Sequence, residues 1–176
     1  NKLVKPLALA AALTASSLTL AADKVTFQLD WLPGGDKAPV YVGIQEGIFE
    51  KAGLEVSIAS GRGSTDAVTK MATGQSDVGT ADIGALLAAR AQDDVPVSAV
   101  LAYFSQAPHA FFTIKGNGIN SIKDVAGKKV ATSPFPSSNL FLPLVLEENG
   151  LTEDSVTLVK TDPGALGPML MTGNVP

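Results

Sequence analysis

Four short stretches of this chain hold residues that could recognise or transform a small molecule. The first is Asp30-Trp31, with Lys37 close behind. The only tryptophan stands beside a carboxylate, after the apolar run 25–29, at a strand end where α/β proteins hold their ligands. A flat aromatic face there suits a small planar or polar molecule. A lone Trp is more often core because of its apolar area, but this one precedes Leu32-Pro33-Gly34-Gly35, a turn. Lys37 pairs with Asp30 or Asp36, or points to solvent, the default for lysine.

The second stretch is Gly61-Arg62-Gly63-Ser64-Thr65. Its glycines let the backbone approach a ligand, and free N–H groups at a helix start favour an anion. Arg62 can add a bidentate grip on a carboxylate, sulfonate or phosphate. The loop lacks the Gly-Lys-Ser/Thr of a Walker loop, so a plain glycine turn with an exposed arginine is an equal reading. The third is Thr80-Ala81-Asp82, where Asp82 most simply caps a helix while the backbone around it lines a cleft. The fourth runs from Ser133 to Asn139. Two prolines stiffen it, and Ser133, Ser137, Ser138 and Asn139 either clamp a ligand or cap the next helix. His109 is the only histidine. With no second His and no Cys it cannot anchor a common all-protein metal site, and it marks a lobe crossover. No nucleophile–base–orienter set can be assembled. The expectation is binding without chemistry: no catalytic residue, no metal, no cofactor.

Alternating strands and helices must position these loops. The pattern predicts strands at 25–29, 54–59, 77–80 and 97–104. Helices are predicted at 39–51, 64–73 and 83–92. In the first of them Val40, Ile44, Ile48 and Phe49 share a face, and Gly53 supplies the stop. Ser64 is expected to cap the second. After residue 106 the order is a strand at 110–115, a turn at Gly116-Asn117-Gly118 and a helical turn at 121–125. A strand at 129–132 follows, then a helix to Asn149-Gly150 that starts near 139 or is kinked by Pro143. A strand at 155–160 and a helix from about Gly164 complete it. This alternation implies mainly parallel sheets in two α/β lobes, residues 23–106 and 107–176.

Lys2 and Lys5, the apolar run from Leu7 to Leu20 and Ala21-Ala22 have the layout of a cleaved secretory signal over residues 1–22. Thr14, Ser16 and Ser17 interrupt the run, so a membrane anchor of about 20 apolar residues is disfavoured. Without cysteine there is no disulfide, thiolate metal site, thiol nucleophile or lipidated cysteine. Loss of the two signal lysines leaves 11 basic against 17 acidic residues, a net charge of about −6 that argues against nucleic acid. The chain opens without Met and stops just after an apolar helix-like segment, so it reads as the front part of a longer protein.

The run LDWLPGGDKAPVYVGIQEGIFEKAGLEV (29–56) resembles the start of mature periplasmic solute-binding proteins of ABC importers. The nearest groups bind thiamine-pyrimidine precursors or sulfonates, nitrate and taurine. GRGSTDAVTKMATGQSDVGTADIGALLAA (61–89) is similar to that family's glycine-rich loop, turn and helix, and SIKDVAGKKVATS (121–133) to its entry into the second lobe. The resemblance implies a type II periplasmic-binding-protein fold, an α/β architecture of two lobes that close on a ligand. It also implies a monomeric, periplasmic, non-enzymatic receptor that delivers a small molecule to an ABC membrane permease. In the pyrimidine binders the Trp at the position of Trp31 stacks on the heterocycle. Those proteins carry Asn-His-Ala-Gly shortly afterwards, whereas this chain has Gly35-Asp36-Lys37-Ala38-Pro39, leaving riboflavin-like and sulfonate-like ligands open. The alternatives on this fold are the pyrimidine synthase of fungal thiamine biosynthesis, disfavoured by the missing Cys, the single His and the export signal, and a sensor domain of a receptor.

Overall fold

The computed structural model describes residues 21–176. The expected secretory signal lies, but for Ala21 and Ala22, outside the described residues. Two parallel sheets organise the chain. In the first, β1 (Asp23–Gln28) lies between β2 (Leu54–Ala59) and β3 (Val78–Gly79). Asp23 sits opposite Leu54 and Gln28 opposite both Ala59 and Gly79. In the second, β4 (Lys129–Thr132) pairs with β5 (Thr157–Lys160), Lys129 opposite Thr157. Parallel pairing requires crossovers, supplied here by helices. All five strand ends therefore deliver their loops in chain direction, which is how the candidate loops come to converge.

The expected first helix is two. α1 (Ala38–Gln45) stops and α2 (Ile48–Lys51) restarts after Gly47, which turns left-handed at φ 63°. Such a φ is readily open to glycine and rarely to others. The break ends the shared apolar face: Val40 is buried, whereas Ile44 and Ile48 are exposed. α3 (Ser64–Ala72) starts at Ser64 rather than after it, with Gly63 in the capping position and no side-chain cap. α4 (Ile83–Gln92) has the expected limits and is capped by Asp82, whose Oδ1 accepts from the Gly84 N–H at 2.8 Å. In the second lobe α5 (Ser138–Glu148) runs on through Pro143, and α6 (Pro163–Met171) starts after its cap, Asp162.

Two separate apolar clusters underlie the sheets. Val68, Ala85 and Leu86 join α3 to α4, while Val125, Leu142, Leu146 and Val156 close α5 over the second sheet. The strands expected at 97–104 and 110–115 do not form. A strand needs a neighbour to take its backbone N–H and C=O groups, and no described strand pairs with either segment. Val100, Leu101 and Phe112 consequently stand 87, 80 and 78% exposed. Their hydrophobicity alone did not make them strands.

Candidate functional site

The floor of the first lobe is held by a buried glutamine. Gln28 is 1% exposed, and its Nε2 donates to the carbonyls of Leu29 at 2.9 Å and Ser60 at 3.0 Å, while its Oε1 accepts from Ser76 Oγ at 3.3 Å. A buried amide so satisfied locks the ends of neighbouring strands together. Just beyond it, the Asp30 N–H donates to Thr80 Oγ1, and that hydroxyl donates to Asp30 Oδ1 at 2.7 Å. The same Oδ1 lies 2.6 Å from Lys37 Nζ, which also reaches Asp36 Oδ2 at 2.9 Å.

Lys37 does not point to solvent, the default for its type: it is 3% exposed. Burial pulls its ammonium toward the neutral form, but the hydrogen bonds and charges of Asp30 and Asp36 outweigh it and raise the pKa. The turn after Trp31 is thus pinned to the strand end from within. Trp31 itself is half-buried, and its carbonyl accepts from the Gly61 N–H at 3.0 Å.

The loop 61–65 lies between the lobes. A Cβ on Gly61 would strike the Leu29 carbonyl and come within 2.6 Å of the Trp31 nitrogen; one on Gly63 would strike the Phe135 carbonyl. Gly63 also has φ 147°. These glycines bring the loop against the protein's own backbone on both sides. The Thr65 N–H donates to the Phe135 carbonyl at 3.1 Å, which occupies one of the free donors that α3 would offer an anion. Arg62 is held by Asp66 at 2.8 Å and stacks over Phe135, 4.9 Å from the ring centroid. Asp66 also meets Lys70 at 3.0 Å. Burial pushes the Asp66 carboxyl up, but the two cations outweigh it and lower the pKa. The Arg62 guanidinium is raised chiefly by its bond to Asp66.

From the second lobe, Ser133 is fully buried and its Oγ donates to the Arg62 carbonyl at 3.2 Å. Asn139 folds back, its Nδ2 donating to the Ser133 carbonyl at 2.9 Å and its Oδ1 accepting from Thr132 Oγ1 at 2.8 Å. Ser138 is the half-buried first residue of α5. Beside this junction lies a cavity of about 210 Å³ lined by Arg62, Pro134, Phe135, Thr161, Asp162 and Pro163. The last three were absent from the sequence-derived set. The β5 run leading into Asp162-Pro163-Gly164, a strand end meeting a helix-start signature, is the signal that could have found them.

Asp82, Ser64, His109 and Ser137 also gather. The Asp82 N–H donates to Ser64 Oγ at 3.0 Å, so the Ser64 hydroxyl serves this neighbouring loop instead of capping α3. His109 Nε2 sits 2.8 Å from Ser137 Oγ and 3.9 Å from Asp82 Oδ2. Serine, histidine and aspartate thus meet where no such set was legible, but both oxygens face one ring nitrogen and Ser137 is 3% exposed. A hydrolytic triad needs the carboxylate on the other nitrogen. Ala81, in the loop between β3 and α4, is exposed. Among the described residues no group of three His, Asp or Glu side chains is placed to hold a metal, and no helix is long and apolar enough to cross a membrane.

Comparison with known proteins adds the following. The family described as NMT1/THI5 like matches residues 35–176. The 4-amino-5-hydroxymethyl-2-methylpyrimidine phosphate synthase of Schizosaccharomyces pombe is 29% identical over 111 residues, 63% of this chain and 32% of that protein. A Haemophilus influenzae protein named for thiamine biosynthesis is 28% identical over 157 residues, 89% of this chain and 49% of the relative. The chain therefore spans between a third and a half of the length of these relatives. Among solved structures, the alkanesulfonate-binding protein SsuA from Xanthomonas axonopodis pv. citri, bound to MOPS, superposes with a TM-score of 0.58 at 14% identity, over 88% of this chain and 54% of that one. The periplasmic aliphatic sulphonate binding protein SsuA from Escherichia coli gives 0.55 at 15%, over 87% and 52%. The fold is the type II periplasmic-binding-protein fold. The expectation that the chain is not an enzyme is overturned, because proteins named as a synthase match nearly two thirds of it.

Proposed function

Because the chain belongs to the NMT1/THI5-like family, we propose that it is part of a periplasmic solute receptor. Residues 23–106 and 107–176 form two lobes that close on a small polar or heterocyclic molecule, which is then delivered to the membrane permease of an ABC importer. The observation that carries this reading is the meeting of strand-end loops from both sheets at one place. The Thr65 N–H reaches the Phe135 carbonyl, Ser133 reaches the Arg62 carbonyl, and the Gly61 N–H reaches Trp31. Clefts at such strand ends, between lobes, are where ligands bind and where closure buries them. Trp31 and Asp30 supply an aromatic face and an acceptor in the first lobe. Arg62, Ser137, Ser138 and Asn139 supply polar groups around the junction. The names of the solved neighbours favour a sulfonate, and those of the curated relatives a thiamine pyrimidine.

Trp31 is the chain's only tryptophan, so its emission reports directly. Titration with aminopyrimidines, flavins, taurine and alkanesulfonates is expected to change that emission for one class. Trp31→Ala, followed by calorimetry, is expected to weaken the same ligand by about five- to 150-fold, in line with about 1–3 kcal/mol for a stacked base. Tight binding with unchanged emission and an unaffected Trp31→Ala variant would rule out the stacking role. The second reading, a pyrimidine phosphate synthase, is favoured by the curated names. It is tested by mass spectrometry for that product after incubation of the purified protein.

A further inference from the structure

We propose that His109 is a positioning residue that ties the two lobes together, and that its protonation tightens the tie. The inference rests on the two-lobe reading above. His109 lies in the segment between the sheets, and its imidazole occupies a notch between the start of α4 and the start of α5. On the α5 side Nε2 meets Ser137 Oγ at 2.8 Å, and the ring lies against Phe141 at 5.4 Å between centroids, tilted by 48°. On the α4 side the same Nε2 faces Asp82 Oδ2 at 3.9 Å. Phe141 presses on Gly84, where a Cβ would come within 2.7 Å of its ring, so the notch has no slack.

The two oxygens of Asp82 have different tasks. Oδ1 caps α4 through the Gly84 N–H at 2.8 Å, leaving Oδ2 turned toward the imidazole. Among the described residues Asp82 is the one carboxylate that pairs with His109 within 4 Å. What α5 presents, Ser137 and Phe141, carries no charge in the histidine range. A neutral imidazole can accept from the Ser137 hydroxyl and owes nothing to Asp82. An imidazolium carries N–H at both nitrogens, so Nε2 must donate, and the acceptors before it are Ser137 Oγ and the Asp82 carboxylate. Protonation of His109 therefore adds an attraction between the crossover and the first lobe. The bond to the second lobe is kept. Asp82 is 14% and His109 29% exposed at the side chain, so the gain is that of a partly solvated pair.

The chain has one histidine and no cysteine, which makes the test direct. Proton NMR follows the single imidazole Cε1–H through pH 5 to 8. Gln75→Cys and Glu147→Cys, exposed positions on the two lobes, carry spin labels for distance measurement by pulsed electron resonance on the full chain. The expected result is a closed-to-open ratio about two- to five-fold higher in the acid range than at pH 8, as fits an exposed-to-intermediate ion pair. The change should track the NMR titration. His109→Gln, which keeps a donor for Ser137, and Asp82→Asn, which keeps the helix cap, should each flatten this response. An undiminished response in either variant, or an imidazole that titrates without altering a two-component distance distribution, overturns the role of His109 alone. A single narrow distribution at every pH in all forms overturns lobe closure as well.

Discussion

Replacing Lys37 by methionine removes a charge that is 3% exposed while conserving the length of the stem. Its Nζ is 2.6 Å from Asp30 and 2.9 Å from Asp36, whose side chains are 24 and 49% exposed. Breaking a fully buried pair costs about 3–5 kcal/mol because it strands the remaining charge. Here both carboxylates can regain water, so the loss is smaller, about 2 kcal/mol. For a chain of this size that lowers the melting temperature by about 4–8 °C. The assay is thermal and urea unfolding of the wild type, Lys37→Met, Asp30→Asn and the double variant. The expected cycle is non-additive: the double variant loses less than the sum of the singles, with a coupling of about 1–2 kcal/mol. The pH dependence has a definite sign. Lys37 is raised in the folded state, so its contribution is complete below the unfolded lysine value of about 10.4 and is lost as pH rises through the higher folded value. Additive singles, or a Lys37→Met melting point within 1 °C of wild type, would refute the claim that this pair pins the turn behind Trp31.

Gly63→Ala is expected to be among the most damaging single changes, by about 2–3 kcal/mol or more, since its φ is 147° and its Cβ would strike the Phe135 carbonyl; soluble yield and melting temperature measure it. Asp82→Ala removes the α4 cap and should cost about 1 kcal/mol in urea unfolding. Asp66 is lowered in the folded state by Arg62 and Lys70. Its contribution is present above the ordinary carboxyl value of about 3.9 and fades as pH falls through the lower folded value. Asp66→Asn should therefore flatten the acid limb of a stability–pH profile below about pH 4 while leaving the alkaline limb unchanged.

Where an element's signal was local, the sequence carried it. β2, α4 and β4 have the limits their composition implied, because each is bounded by glycine, a capping Asp or a turn, and each finds its partner within the described chain. Where the outcome depended on a distant partner, the signal failed. The apolar runs at 97–104 and 110–115 have strand composition but no strand beside them. The site divides along the same line. Strand-end loops could be read from alternation and glycine, and the Asp82 cap from its type. The use of Gly61 and Gly63 to pass close to backbone, and the meeting of His109 with Ser137 and Asp82, join residues remote in sequence. Single-residue chemistry does not encode such pairings.

The central claim, that the strand-end loops of both lobes form one ligand site, is tested most directly by hydrogen–deuterium exchange with and without a ligand found in the fluorescence screen. Segments 30–37, 61–65, 80–82 and 133–139 are expected to gain protection together, over the same ligand concentration range. Protection confined to one lobe, or falling elsewhere while these four segments exchange unchanged, would contradict it.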